Sequence, residues 1–168
     1  MKKSAYFRQE YMQVMILKKI KEYSFIYCLG AVLYSGIEIA FRGFTHWTMA
    51  LTGGLAYLLI YITSFRIKAK GIFVRCLSGC GIITALEFIV GCIVNRKLHM
   101  NVWDYSQRPG HILGQICPLF SLIWFLLSIP AVLLSFFIKS RLFSDGTTRI
   151  IRTRHFGKKI KISQLFLK

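Results

Sequence analysis

Four long apolar runs constrain this chain more than any other feature. They are Tyr23 to Phe41, Trp47 to Phe65, Cys76 to Val94 and Gly114 to Ile138, and together they hold only two charged side chains, Glu38 and Glu87. A helix that crosses a hydrocarbon layer of ~30 Å needs about 20 residues. Each run meets that length. A transmembrane barrel would show alternating strands of about ten residues, a pattern this chain lacks. In lipid the backbone must satisfy its own hydrogen bonds, so the runs are predicted to be helices. The expected fold class is an all-α, four-span transmembrane helix bundle. A basic N-terminal segment (1–22) precedes the four-helix domain (23–138), and a polybasic tail (139–168) follows it.

Composition supports this division. Hydrophobic types make up 55% of the 168 residues and charged types 17%, yet the net charge is +17. A disordered chain would lack the apolar content, and a soluble domain carries more charge, roughly 25%. Basicity and apolarity coexist here because they occupy different segments. Nineteen of the 23 Lys and Arg residues lie before the first run, between the second and third, or after the fourth. The other four are Arg42, Arg96, Lys97 and Arg108. The positive-inside rule then predicts both termini and the middle loop on the cytoplasmic face, with two loops outside. The first run is too long for the core of a signal peptide and ends in Glu38, Phe41 and Arg42 rather than a small-residue cleavage site. The apolar stretch Tyr11 to Leu17 is too short to cross; it either extends the first helix or lies on the membrane surface.

The basic tail points to topogenic charge and to anionic lipid headgroups at the cytoplasmic face. No motif supports nucleic-acid binding. Five cysteines, an odd number without a CxxC pair, argue against a disulfide framework, so buried thiols are expected.

Spans one and three align at an offset of 49, which superposes Ala31 on Cys80, Ser35 on Thr84 and Glu38 on Glu87. Two helix pairs in the same orientation would be a weak parallel internal repeat. The stripes 31, 35, 38, 42 and 80, 84, 87, 91 are small or polar and are expected to face protein. Span two offers Thr52, Gly53 and Ala56; span four offers Gly114, Ser121, Ser128 and Ser135 at heptad spacing. Pro118 and Pro130 are expected to bend span four.

The intramembrane glutamates carry the functional question, because a charge near the bilayer centre costs about 3 kcal/mol on insertion scales. Glu38 has Arg42 four residues on, in the favourable order for an ion pair. Glu87 has no such cation. Its carboxyl is hydrogen-bonded in neutral form, paired with Arg42 or Arg96, or lining a polar cavity. Outside the spans, Trp47, Trp103 and Tyr105 resemble interfacial belt residues. Asp104 is placed to cap a turn or to pair with Arg42 or Arg96. The candidate polar cavity at the outer mouth of the bundle therefore comprises Glu38, Arg42, His46, Glu87, Asn95, Trp103, Asp104 and Gln115. The spacing of His46, His99, His111 and Asp104 matches no metal motif, and neither a GxSxG nor a GxxxxGK[ST] motif occurs. No cofactor, metal or enzymatic activity is expected.

Three separated stretches carry a family resemblance. They are Arg42-Gly-Phe-Thr-His-Trp-Thr-Met-Ala-Leu-Thr-Gly-Gly54; Leu86-Glu-Phe-Ile-Val-Gly91 with Asn95 and Asn-Val-Trp-Asp-Tyr-Ser106; and Leu113-Gly-Gln-Ile-Cys-Pro through Pro130. Together they resemble the CmpB-like, ABC-transporter type IV family of bacterial integral membrane proteins. The resemblance spans about Tyr34 to Pro130 and leaves out the tail after Ile138. It implies a multi-pass protein of the bacterial cytoplasmic membrane. Together with the two buried acids and the small-residue stripes, it leads to the expectation of a permease-like or transport-associated subunit, which without a GxxxxGK[ST] loop has no ATPase of its own. A homo-oligomer or a partner membrane protein or ATPase is then expected. The competing expectation is a non-transporting scaffold or sensor that binds a lipid or a partner protein.

Overall fold

A computed structural model describes residues 2–67 and 71–143. The tail from residue 144 onward, including its expected lipid contacts, lies outside the described residues. The described chain is helical: α1 (Lys2–Arg42), α2 (Trp47–Arg66), α3 (Ile72–Gly91) and α4 (Pro118–Arg141). Each contains a segment long and apolar enough to cross a membrane.

Local chemistry sets the helix ends. Gly43, at φ +79°, stops α1 in a conformation that glycine adopts without strain. His46 opens α2 with extended backbone, and its Nδ1 accepts from the Thr48 amide at 3.4 Å. Pro118 is not a bend inside α4. It occupies the first helical turn, where its missing N–H costs nothing. The helix therefore begins four residues after Gly114, which belongs to the preceding turn. Pro130 is the proline inside the helix. At the other end of the hairpin, α3 runs past Gly91 into a π-helical turn, Cys92–Lys97. The Tyr11–Leu17 stretch takes the first of its two open readings: α1 continues through it without a break. At ~1.5 Å per residue, α1 is about 60 Å long.

The second helix is central and packs against α1, α3 and α4. Three buried clusters run from end to end of the bundle. Ile26, Tyr57, Tyr61 and Ile138 fill the end near the start of α1. Ile60, Cys76 and Val132 hold the middle, and Met49, Val94, Val102 and Trp103 fill the far end. The small and polar stripes face inward, as expected. Thr52, Gly53 and Ala56 are buried, and so are Ser128 and Ser135. The serine hydroxyls donate to carbonyls one turn back, Trp124 O at 2.7 Å and Ala131 O at 2.8 Å. Across α3 and α4, Cys80 Sγ donates to Ser121 O at 3.1 Å. Gly53 admits the ring of Tyr34: a Cβ built there would overlap Tyr34 Cβ and lie 2.6 Å from its Cγ. All five cysteines are free.

Candidate functional site

The far end of the bundle is closed by the α3–α4 connection, which folds back into it. Two backbone devices place its side chains. The π-helical turn at the end of α3 inserts an extra residue per turn, and such turns re-aim side chains. Here Asn95 is buried, with the amide of Leu98 bonded to Ile93 O at 2.9 Å. The second device is a tight turn at Ile112–Gln115. Leu113 and Gly114 both take positive φ, +53° and +71°, which is the type I′ pattern. Ile112 N bonds to Ile116 O at 2.9 Å and Gln115 N to Ile112 O at 3.0 Å. This turn buries Gln115.

Asn95 is the hub. Its Nδ2 donates to Trp103 O at 2.9 Å and to Gln115 Oε1 at 2.8 Å, and its Oδ1 accepts from the Val102 amide at 2.7 Å. Trp103 Nε1 donates in turn to Gln115 O at 3.1 Å. Trp103 is therefore not a belt residue; it is 6% exposed and packs in the apolar cluster beneath the loop. Trp47, by contrast, is 62% exposed.

Arg42 connects this loop to α1. Its Nη1 donates to Glu38 Oε1 at 2.9 Å, which makes the i,i+4 ion pair expected from spacing. Its Nη2 donates to Val102 O, and the guanidinium lies 4.7 Å from the centre of the Phe44 ring. Thr45 Oγ1 completes the Glu38 site, donating to Oε2 at 2.6 Å. A continuous chain thus joins Glu38, Arg42, Val102, Asn95, Gln115 and Trp103.

Glu87 lies apart from every cation named for it. It is 2% exposed, and its partners are neutral. Trp124 Nε1 donates to Oε2 at 2.6 Å, and the Tyr105 hydroxyl donates to Oε1 at 3.3 Å. Of the three readings, the hydrogen-bonded one describes its contacts; neither Arg42 nor Arg96 is its partner. Tyr105 belongs to the loop, is half-buried and stacks on Phe120 at 4.3 Å. Burial pushes the Tyr105 hydroxyl well above its usual range. It therefore remains a donor across the physiological range.

His46 and Asp104 do not hydrogen-bond to this network. His46 Nδ1 lies 2.8 Å from Thr48 Oγ1 at the start of α2. Asp104 is exposed and takes its turn-capping role. Its Oδ1 accepts from the Ser106 amide and its Oδ2 from the Ser106 hydroxyl, both at 2.8 Å. The backbone bond from Ser106, then its hydroxyl, holds the Asp104 carboxyl below its ordinary value of 3.8. A lowered carboxyl contributes order above its unfolded pKa and loses it as pH falls through the folded value. Protection of the Ser106 amide against hydrogen exchange should therefore fall on acidification below about pH 4. In Asp104→Asn that pH dependence should vanish; an unchanged profile would show that the cap does not hold the turn.

One buried acid was missed from the sequence. Glu22, at the opposite end, is buried and accepts from Lys139 Nζ at 2.8 and 3.0 Å and from the Tyr61 hydroxyl. It ties α1 to α2 and α4. Its one sequence signal is that it precedes Ile26 by a single helical turn on the same face. Among the described residues, no three His, Cys, Asp or Glu side chains converge to hold a metal.

No curated protein and no solved structure matched the chain. A family model described as "Putative ABC-transporter type IV" matches residues 22–153. That range is wider than the three motifs and includes the start of the basic tail. With four membrane-length helices, the expected motifs and a match over most of its length, the chain belongs to this family of ABC-transporter-associated membrane proteins.

Proposed function

We propose that the chain is a permease-like, transport-associated subunit of the bacterial cytoplasmic membrane that works with a separate ATPase. Both termini and the α2–α3 loop face the cytoplasm, where a partner that hydrolyses ATP would bind. The family membership supports this reading, as does the crowding of Lys and Arg at one end of the bundle.

The observation that carries the proposal is Glu87. An acid in a span marks a functional position by default. This one has no cationic partner among the described residues and is covered by a donor from a loop, through a bond of 3.3 Å. Release of Tyr105 would expose the carboxyl at the end of the bundle. The acid is then a binding or proton-accepting group with a removable cover. Glu38, fixed by Arg42 and Thr45, serves to hold the loop.

The scaffold or sensor reading has one observation of its own. The Asn95–Gln115–Trp103 network fastens the loop over the bundle and leaves a closed, well-bonded end. Purification of the tagged chain from native membranes into nanodiscs separates the two readings. The transport reading expects an ATP-hydrolysing partner at near-equal amount. It also expects that Glu87→Gln lowers the assembly's ATP turnover at least tenfold with unchanged yield. A kinase or envelope enzyme in place of the ATPase would favour the scaffold reading. Unchanged turnover in Glu87→Gln would remove the acid from the mechanism.

A further inference from the structure

The end of the bundle opposite the loop holds a cation without a counter-ion among the described residues. Arg75 lies in the first turns of α3, and its guanidinium sits 5.3 Å from the centre of the Phe136 ring on α4. Its Nη1 is buried and has no hydrogen-bond partner among the described residues. Phe136 is the last ring of a row that crosses this end. Tyr61 packs edge-on against Phe65 at 5.0 Å, and Phe65 against Phe136 at 5.1 Å. At the far side of the row, Tyr61 and Lys139 both engage Glu22. The acid described at this end is therefore already taken. Glu38 is held by Arg42, Glu87 by Trp124 and Tyr105, and Asp104 by Ser106, all away from this end.

A desolvated guanidinium donor is costly unless an acceptor reaches it, and a phosphate suits its planar fork. Exposed apolar side chains flank Arg75 and Phe136 along α3 and α4. Phe73 is 65% exposed and packs against Phe125 at 5.5 Å, and Leu77, Leu133 and Phe137 are exposed on the same two helices. Charge and apolar surface together select one ligand class. We propose that Arg75 is the headgroup anchor of a bound anionic phospholipid, with the phosphate on the guanidinium and the acyl chains along α3 and α4. This site lies at the other end of the bundle from Glu87 and does not depend on the transport reading.

The test uses the full chain in an uncharged detergent and in nanodiscs. Native mass spectrometry should show at least one phosphatidylglycerol retained per chain in preference to phosphatidylcholine. Arg75→Gln should lose that retained lipid, Arg75→Lys should keep part of it, and Arg66→Gln, at an exposed position of the same end, should keep all of it. Stability should cross over. In uncharged detergent Arg75→Gln should melt at the same temperature as wild type or higher, because a partly buried cation with an unpaired Nη1 is gone. With phosphatidylglycerol added, wild type should melt higher. Destabilisation of Arg75→Gln in detergent alone would mean that the chain itself supplies the acceptor, and would overturn the proposal. Equal lipid retention by Arg75→Gln and wild type would overturn it too. Stabilisation by inorganic phosphate as strong as by the lipid would identify a free-anion site and reject the lipid.

Discussion

Asn95→Ala should cost about 3 kcal/mol of stability, read as a lower unfolding midpoint in detergent. The truncation leaves the Val102 amide, Trp103 O and Gln115 Oε1 without their Asn95 bonds, in a region where Asn95 itself is 7% exposed. Each buried group left unpaired costs about 1–3 kcal/mol. Water that enters the loosened loop recovers part of this, so the expected loss is below the sum. The effect should also spread. With Val102 displaced, Arg42 loses an acceptor and Tyr105 loses its position over Glu87, so tryptophan fluorescence from Trp103 and Trp124 should change with the midpoint. Asn95→Asp should be no milder, because it keeps the acceptor for Val102 but sets a second acceptor oxygen against Trp103 O and Gln115 Oε1. A loss under about 0.5 kcal/mol for Asn95→Ala would mean that the loop is held by something other than this hub.

Gly53→Leu is the second large effect, again about 3 kcal/mol and at the upper end of the overpacking range. Even a Cβ at this position overlaps Tyr34, and the branched side chain adds volume where α1 and α2 touch. Neither helix can yield locally without breaking its own hydrogen bonds, so α1 must move away from α2. Gly36→Leu provides the contrast. Gly36 is exposed, with nothing within 4 Å of its built Cβ, so the same change should be close to neutral. Equal effects from the two variants would show that glycine matters here for helix flexibility rather than for close approach.

Those features that depend on one helix were legible in the sequence. The apolar runs gave the spans because length and hydropathy are local quantities. The Glu38–Arg42 pair followed from i,i+4 geometry. The inward faces of α2 and α4 followed from small and hydroxyl residues at helical spacing. Features that join distant segments were not legible. Glu22 meets Lys139 across 117 positions, and no local pattern announces that contact. Trp103 and Tyr105 have belt-like composition and flank charged residues. What turns them inward is the π-helical turn that places Asn95 and the left-handed pair Leu113-Gly114 that places Gln115. Gly114 falls on the heptad stripe of span four because the run is apolar without interruption. Only Pro118 marks where the helix can start.

The first helix is much longer than the bundle it belongs to. From Glu22 to Arg42, the stretch pinned at both ends by side-chain bonds, it rises about 30 Å, close to the hydrocarbon thickness. Its span-competent segment, Met12–Arg42, measures about 46 Å, more than tilt alone accommodates. Met12, Val14 to Leu17 and Ile20 therefore form an oily sleeve below the clamp, while α2 and α4 stop at Arg66 and Arg141. The molecule answers hydrophobic mismatch asymmetrically. A thicker bilayer that climbs this one helix meets Lys21, Lys19 and Lys18 within about one turn of Glu22, and they must snorkel before the stretch Met12 to Leu17 is covered, whereas α2 and α4 end at Arg66 and Arg141.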